Sequence, residues 1–306
     1  MISCAKLVSN EISQKGSPSE IEWIHFEWVS FSKKGQKFEK AAFKIPVKID
    51  ELPRNFYMQF DLAAPTTCLY GNNFKPILKR NPSLDNKLDT TKTFWIQGKE
   101  NPMFRNVNLK LDNVVFKGID VGLFTNYGHR ILNFIYRKSP IGTIGADIFQ
   151  NKVLIIDYKS SRLAVIDTLP TEYQDAYFAD FSINNGRISV PFRINGNVEY
   201  LMFDTGSGIF SLVTSKENAL KIGGTEIVDS LKVPSWGELI TFYGLKTIFP
   251  IKFEDKNLGS PIVYYDEVGT FDVFYQQQNI WGLTGNAFFL DDIVIIDYVN
   301  KRFGVK

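Results

Sequence analysis

The stretch "IGTIGADIFQNKVLIIDYKSSRLAV", residues 141–165, recurs as "WGLTGNAFFLDDIVIIDYVNKRFGV", residues 281–305. The two align without a gap, and nine of the 25 columns are identical: Gly142/Gly282, Gly145/Gly285, Phe149/Phe289, Ile155/Ile295, Ile156/Ile296, Asp157/Asp297, Tyr158/Tyr298, Arg162/Arg302 and Val165/Val305. A repeat at an offset of 140 residues in a chain of 306 marks a duplicated lobe. Further upstream, "YMQFDLAAPTTCLY" (57–70) aligns with "YLMFDTGSGIFSLV" (200–213), matching Tyr57/Tyr200, Phe60/Phe203, Asp61/Asp204 and Leu69/Leu212. Before these, "IPVKIDELPRNFY" parallels "VPFRINGNVEY", in which Asn195-Gly196 is a strong hairpin signal.

Each copy therefore reads as strand, turn and strand, an Asp on a turn, a β-rich middle, a Gly-containing apolar strand and a closing hairpin. Segments such as "FKIPVKI", "FYMQF", "VLIIDY", "RLAVI", "RISVPFRI" and "DIVIIDY" carry the strand pattern. Helical signals are few; "PIGTIGADIFQN" and "LTGNAFFLDD" each have room for one helical turn after the Gly. The expected organisation is an N-terminal lead-in (1–35), a first β lobe (36–167), a connection (168–177) rich in turn residues and charges, and a second β lobe (178–306).

Composition narrows the function. Lys plus Arg is 35 and Asp plus Glu is 33, a net charge of +2, which gives no reason to expect nucleic acid or an anionic membrane. Hydrophobic residues at 44% allow a real core, and no apolar run is long enough for a spanning helix. With two His and two Cys, neither a disulfide framework nor a zinc site is expected, and no other metal or cofactor is implied. His25 and His129 have no partner spacing, which leaves a Ser or Cys triad without support. "IGTIGADIF" lacks the third Gly and the βαβ setting of a dinucleotide loop. Trp95, Trp236 and Trp281 suit either core or cleft. "MISCAKLV" has neither the basic nor the apolar segment of a signal peptide, so the chain as written reads as cytoplasmic. It also resembles the end of a bacterial lipoprotein signal; a start further upstream would make Cys4 a lipid-anchor site on a periplasmic or membrane-attached protein.

Two copies of one lobe facing each other would bring Asp61 and Asp204 together at their boundary, a preferred place for a ligand cleft. Carboxylates held that close share a proton, so one acts as general base on a trapped water while the other donates to a carbonyl oxygen. Asp157 and Asp297, at strand ends before turns, read as turn formers.

The chain resembles the pepsin-like aspartic peptidases, two-lobed relatives of the retropepsins. "FDTGS" (203–207), its degenerate partner "FDLAA" (60–64), the segments "TIGADIF" (143–149) and "LTGNAFF" (283–289) and the closing "IIDY" strands carry the likeness, through their order and spacing. The resemblance implies a mostly β, two-lobed, acid-protease-like double β-barrel with an internal pseudo-twofold repeat. It also implies an endopeptidase that takes a peptide or protein in the interlobe cleft, with no set oligomeric state beyond an expected monomer. Asp61 and Asp204 match the catalytic pair. Thr205 matches the Thr that braces the loops, Gly206 the residue whose N–H approaches its own Asp, and Ser207 a hydroxyl donor to the outer carboxylate oxygen. Gly145 and Gly285 match glycines that let a strand pass close under each Asp loop.

The first loop departs from this pattern at three positions. Leu62 has no bracing hydroxyl. Ala63 stands where Gly is usual, which would cost roughly 1 kcal/mol or more were a positive φ required. Ala64 removes a hydroxyl donor worth about 1.5–3 kcal/mol. The stretch 93–104, with Trp95 and Gly98, carries no flap signature. The alternative reading is therefore a catalytically inactive relative that binds peptide or protein in the same cleft.

Overall fold

The structure is a computed structural model that describes residues 21–33, 35–50, 52, 55–129, 138–235 and 238–306. Cys4, and with it the expected anchor site, lies outside the described residues, as does Trp236. The chain is mostly β. An eight-stranded sheet is drawn from residues 27–144, a ten-stranded sheet from residues 182–285, and a six-stranded sheet joins the two halves. Among the described residues no helix is long and apolar enough to cross a membrane.

The six-stranded sheet shows how the copies meet. Strand Val153–Asp157 runs antiparallel to strand Ile293–Asp297, and the central pair is Ile155 with Ile295, themselves repeat partners. Val153 faces Asp297 and Asp157 faces Ile293, so exchanging the copies maps the ladder onto itself. That is the local twofold relation expected of a duplicated chain. The flanks repeat too. Asp157 and Asp297 each accept from an arginine five residues on, Arg162 and Arg302, at 3.0 Å. Each also accepts the backbone N–H three residues on, from Ser160 and Asn300. These two aspartates close turns. Residues 24–25 pair with Arg162–Ile166 on one edge, and Tyr177–Asp180 pairs with Arg302–Val305 on the other. The segment read as a lead-in thus supplies strands Ile24–His25 and Glu27–Lys33.

The same local topology frames each Asp. Strand Phe56–Phe60 lies parallel to Pro140–Ile144, and Asn197–Asp204 lies parallel to Gly282–Gly285. After each Asp loop a short strand, Cys68–Tyr70 or Leu212–Thr214, returns antiparallel to the Gly strand. Asn195 and Gly196, at φ 49° and 79°, make the tight turn of the hairpin that leads into the second Asp. Single 3-10 turns follow each Gly strand at Ala146–Phe149 and Asn286–Phe288, as the sequence suggested.

Matched aromatics fill the core under both loops. Phe60 packs on Phe149 with centroids 5.6 Å apart, and Phe203 packs on Phe289 at 5.9 Å. All four are fully buried. Truncating a buried Phe of this kind to Ala costs about 3–5 kcal/mol, so the duplicated phenylalanines fix each Asp strand in place.

Candidate active site

Asp61 and Asp204 meet at the junction of the halves: a single point above Gly206, where a methyl would sit, lies 2.9 Å from Asp61 Oδ2 and 3.0 Å from Asp204 Oδ1. Each is also held by its own loop. The backbone N–H groups of Ala63 and Ala64 donate to Asp61 Oδ1 at 3.0 and 3.1 Å, and the Gly206 N–H donates to Asp204 Oδ1 at 2.7 Å. Gly206 is required by space: a methyl there would sit 2.8 Å from Asp61 Cγ.

Thr205 ties the loops together. Its Oγ1 accepts the Leu62 N–H at 2.9 Å and donates to the Phe60 carbonyl at 3.3 Å. The reciprocal brace from the first loop is absent, because Leu62 offers only carbon and is buried in the core. From below, Asn286 Nδ2 donates to the Thr205 carbonyl at 2.8 Å, and Tyr158 from the other half donates to Asn286 Oδ1 at 2.6 Å.

Gly145 and Gly285 lie under the loops. A methyl on Gly145 would approach the Ala64 carbonyl oxygen to 2.7 Å, and one on Gly285 would approach the Ser207 carbonyl oxygen to 1.9 Å. The next residue's N–H bonds that same carbonyl in each copy, Ala146 to Ala64 at 2.9 Å and Asn286 to Ser207 at 2.8 Å.

Two expectations are corrected. Ser207 Oγ makes no hydrogen bond to Asp204; the residue serves through its backbone, its N–H turning back to the Asp204 carbonyl at 3.2 Å. Ala63 does not occupy the left-handed region, so it carries no conformational strain, and its N–H reaches Asp61 all the same.

Electrostatics separate the two acids. Burial lifts the Asp61 carboxyl above its ordinary range, and the N–H bonds from Ala64 and Ala63 oppose that lift. Asp204 is lifted well above it, by burial first and then by the charge of Asp61. Both acids are lifted, so the pair shares a proton. With two N–H donors against one, Asp61 is the better-stabilised anion of the two.

Sequence reading missed three contributors. Asp147 accepts from Thr67 Oγ1 at 2.6 Å and from the Thr67 N–H, while Thr67 Oγ1 accepts the Gly145 N–H at 3.0 Å. This buried clamp exists only in the first copy, since Ala287 and Phe210 hold the matching positions. Asn286 is the second, matched by Ala146. Arg187 is the third. Its Nε donates to the Ala63 carbonyl at 2.7 Å, and its charge favours the anions of both Asp61 and Asp204. The one available signal was misalignment of type: Arg187 falls where the first copy has Ala42. In the first copy's strand, the Ala41 carbonyl accepts the Gly208 N–H at 2.7 Å. Gly208 is matched by Pro65, which has no N–H to give, and Arg187 makes the crossing contact to the first loop instead.

Above the carboxyls lies a cleft of about 1070 Å³. Two hairpins overhang it. Strands Leu88–Ile96 and Lys99–Leu111 turn at Gln97-Gly98 and offer Phe94, Trp95 and Ile96. Strands Gly223–Ser235 and Glu238–Thr247 offer Val233, Pro234 and Ile240. The stretch without a flap signature is thus a hairpin tip over the cleft, and Trp95 is 69% exposed there. Trp281 lies outside this cleft and packs partly buried against the core. Among the described residues no three His, Cys, Asp or Glu side chains group to hold a metal ion.

A scan of protein-family models and a search of curated proteins found no match to this chain.

Proposed function

We propose that the protein is an aspartic-type endopeptidase with an acid-protease-like, two-lobed architecture, and that it hydrolyses peptide bonds with water activated between Asp61 and Asp204. The observation that carries this reading is the convergence of two repeat-related carboxyls, each held by backbone N–H groups of its own loop, on one point in the lining of a large cleft. The reaction follows with Asp61 as the anion and Asp204 as the acid. Asp61 takes a proton from water as the water oxygen attacks the carbonyl carbon. Asp204 gives its proton to the carbonyl oxygen, leaving a neutral gem-diol. In the collapse, Asp204 takes a proton from a diol hydroxyl as its C=O reforms, Asp61 gives its proton to the departing amide nitrogen, and the C–N bond breaks, which restores both acids. An extended peptide fits under the two hairpins, with apolar side chains against Phe94, Val233 and Ile240.

The lopsided brace supports a second reading, a peptide-binding protein without turnover, because Leu62 supplies no hydroxyl to hold the first loop. Incubation with denatured casein from pH 3 to 7, beside Asp204→Asn, separates the two. Cleavage by the parent protein that is lost in the variant supports the peptidase. Absence of cleavage at every pH, with no competition by a statine-type inhibitor, favours the binding protein.

A further inference from the structure

Arg187 is an unusual presence in this cleft. It is half-buried, lines the cavity beside Asp61 and Asp204, and sits 5.5 Å from the centroid of Phe274. Arg162 and Arg302 each hold an Asp at 3.0 Å, but Arg187 has no carboxylate partner among the described residues. Its Nε is committed to the Ala63 carbonyl. The Nη edge of the guanidinium, which carries the remaining donors in a flat fork, is not. A guanidinium anchored at one edge, with its other donors open to the cleft, suits an occupant that brings acceptors, and a carboxylate fits the fork best.

Resting on the peptidase reading, we propose that Arg187 is a specificity-determining residue that recognises an acidic side chain of the substrate. The anchoring bond to Ala63 fixes the guanidinium on the rim of the Asp61 loop, so the acidic residue lies within about two residues of the scissile bond, at roughly 3.3 Å per extended residue. The neighbouring Phe274 ring, its centroid 5.5 Å from the guanidinium carbon, gives the cation a further point of support. Burial lowers the Arg187 pKa against the opposing charges of the two aspartates, and a guanidinium, which proteins do not deprotonate, stays charged to meet an anion.

The test digests denatured casein and serum albumin with the parent protein, Arg187→Gln and Arg187→Lys, and reads cleavage sites by mass spectrometry. Asp and Glu near the cut should be enriched about tenfold by the parent, the ratio that corresponds to about 1.4 kcal/mol. The enrichment should vanish in Arg187→Gln and persist in part in Arg187→Lys. A purely structural role in holding Ala63 would lower turnover without changing the site preference. Should Arg187→Gln fail to fold, the parent enzyme alone decides: the acidic preference should weaken in 0.5 M salt, where exposed charge recognition is screened. Cleavage without acidic enrichment, or enrichment indifferent to both substitution and salt, overturns the proposal and leaves the peptidase intact. If the parent protein cuts nothing, the peptidase reading fails and retention of peptides on the immobilised protein decides. Acidic peptides held by the parent and released by Arg187→Gln support the role of Arg187; equal retention overturns it.

Discussion

Tyr158 and Tyr298 are repeat partners in identical "IIDY" segments, yet they should respond oppositely to loss of their hydroxyls. Both side chains are buried. Tyr158 donates to Asn286 Oδ1 at 2.6 Å, whereas Tyr298 Oη has no hydrogen-bond partner. The reason is visible in the duplication: Ala146 holds in the first copy the place that Asn286 holds in the second, so the first copy offers no side-chain amide there. Tyr158→Phe leaves Asn286 Oδ1 buried without its donor, a loss of about 1–3 kcal/mol. Tyr298→Phe removes a hydroxyl that is already unsatisfied, and relief of that desolvation is worth from zero to about 1 kcal/mol in favour of the variant. The two variants should therefore differ by at least about 1 kcal/mol. Urea unfolding monitored by tryptophan fluorescence measures the difference as a shift in midpoint at constant slope. Equal destabilisation by the two substitutions would refute the assignment of Asn286 as the partner that matters.

Two shorter predictions concern the carboxyl pair. Thr205→Val keeps the shape but leaves the buried Leu62 N–H without an acceptor and the Phe60 carbonyl without a donor; a loss of about 2–4 kcal/mol is expected in chemical denaturation, with Thr205→Ser close to the parent. The Asp204 carboxyl is lifted well above its ordinary 3.8 in the fold. As pH rises above about 4 the unfolded chain gives up this proton and the folded protein retains it, so the group costs the parent stability that Asp204→Asn does not lose. Melting temperatures taken from pH 3 to 7 should show the variant's advantage growing with pH and disappearing at the acid end.

Much of this was readable in the chain because duplication turns weak signals into paired ones. Gly145 and Gly285, Phe149 and Phe289, and the two aspartates were each legible as matches. Their structural settings match as well, down to the carbonyls of Ala64 and Ser207 beneath the glycines. What did not read was either too short to carry a period or present in one copy only. The helices Gly71–Leu78, Lys216–Ile222 and Asp272–Gln278 are too short to show an amphipathic period, and the first carries Pro76 inside it. The Thr67–Asp147 clamp joins residues 80 apart with no counterpart in the second copy to flag it. The residue type at Ala63 left open whether the turn needs a positive φ, and the backbone there keeps a φ open to any side chain.

The asymmetry follows a physical logic. Once Leu62 replaces a hydroxyl, the loop that carries Asp61 loses one side of a mutual brace and must be held by other means. The Thr67–Asp147 clamp fastens the far end of the loop to the Gly145 strand. Leu62 itself is wholly buried, exchanging a hydrogen bond for about 1.5–3 kcal/mol of apolar burial. Arg187 crosses from the second half to the Ala63 carbonyl, where Pro65 has removed the N–H that its partner Gly208 provides to Ala41. Each substitution that weakens the symmetric design thus has a one-sided replacement within a few residues, and all the replacements act on the loop of Asp61, the better-stabilised anion of the pair. Together these contacts keep that one carboxylate aimed at its partner. Its retained geometry is the physical ground for expecting chemistry, and Asp61→Asn, which keeps the shape and removes the base, should abolish it.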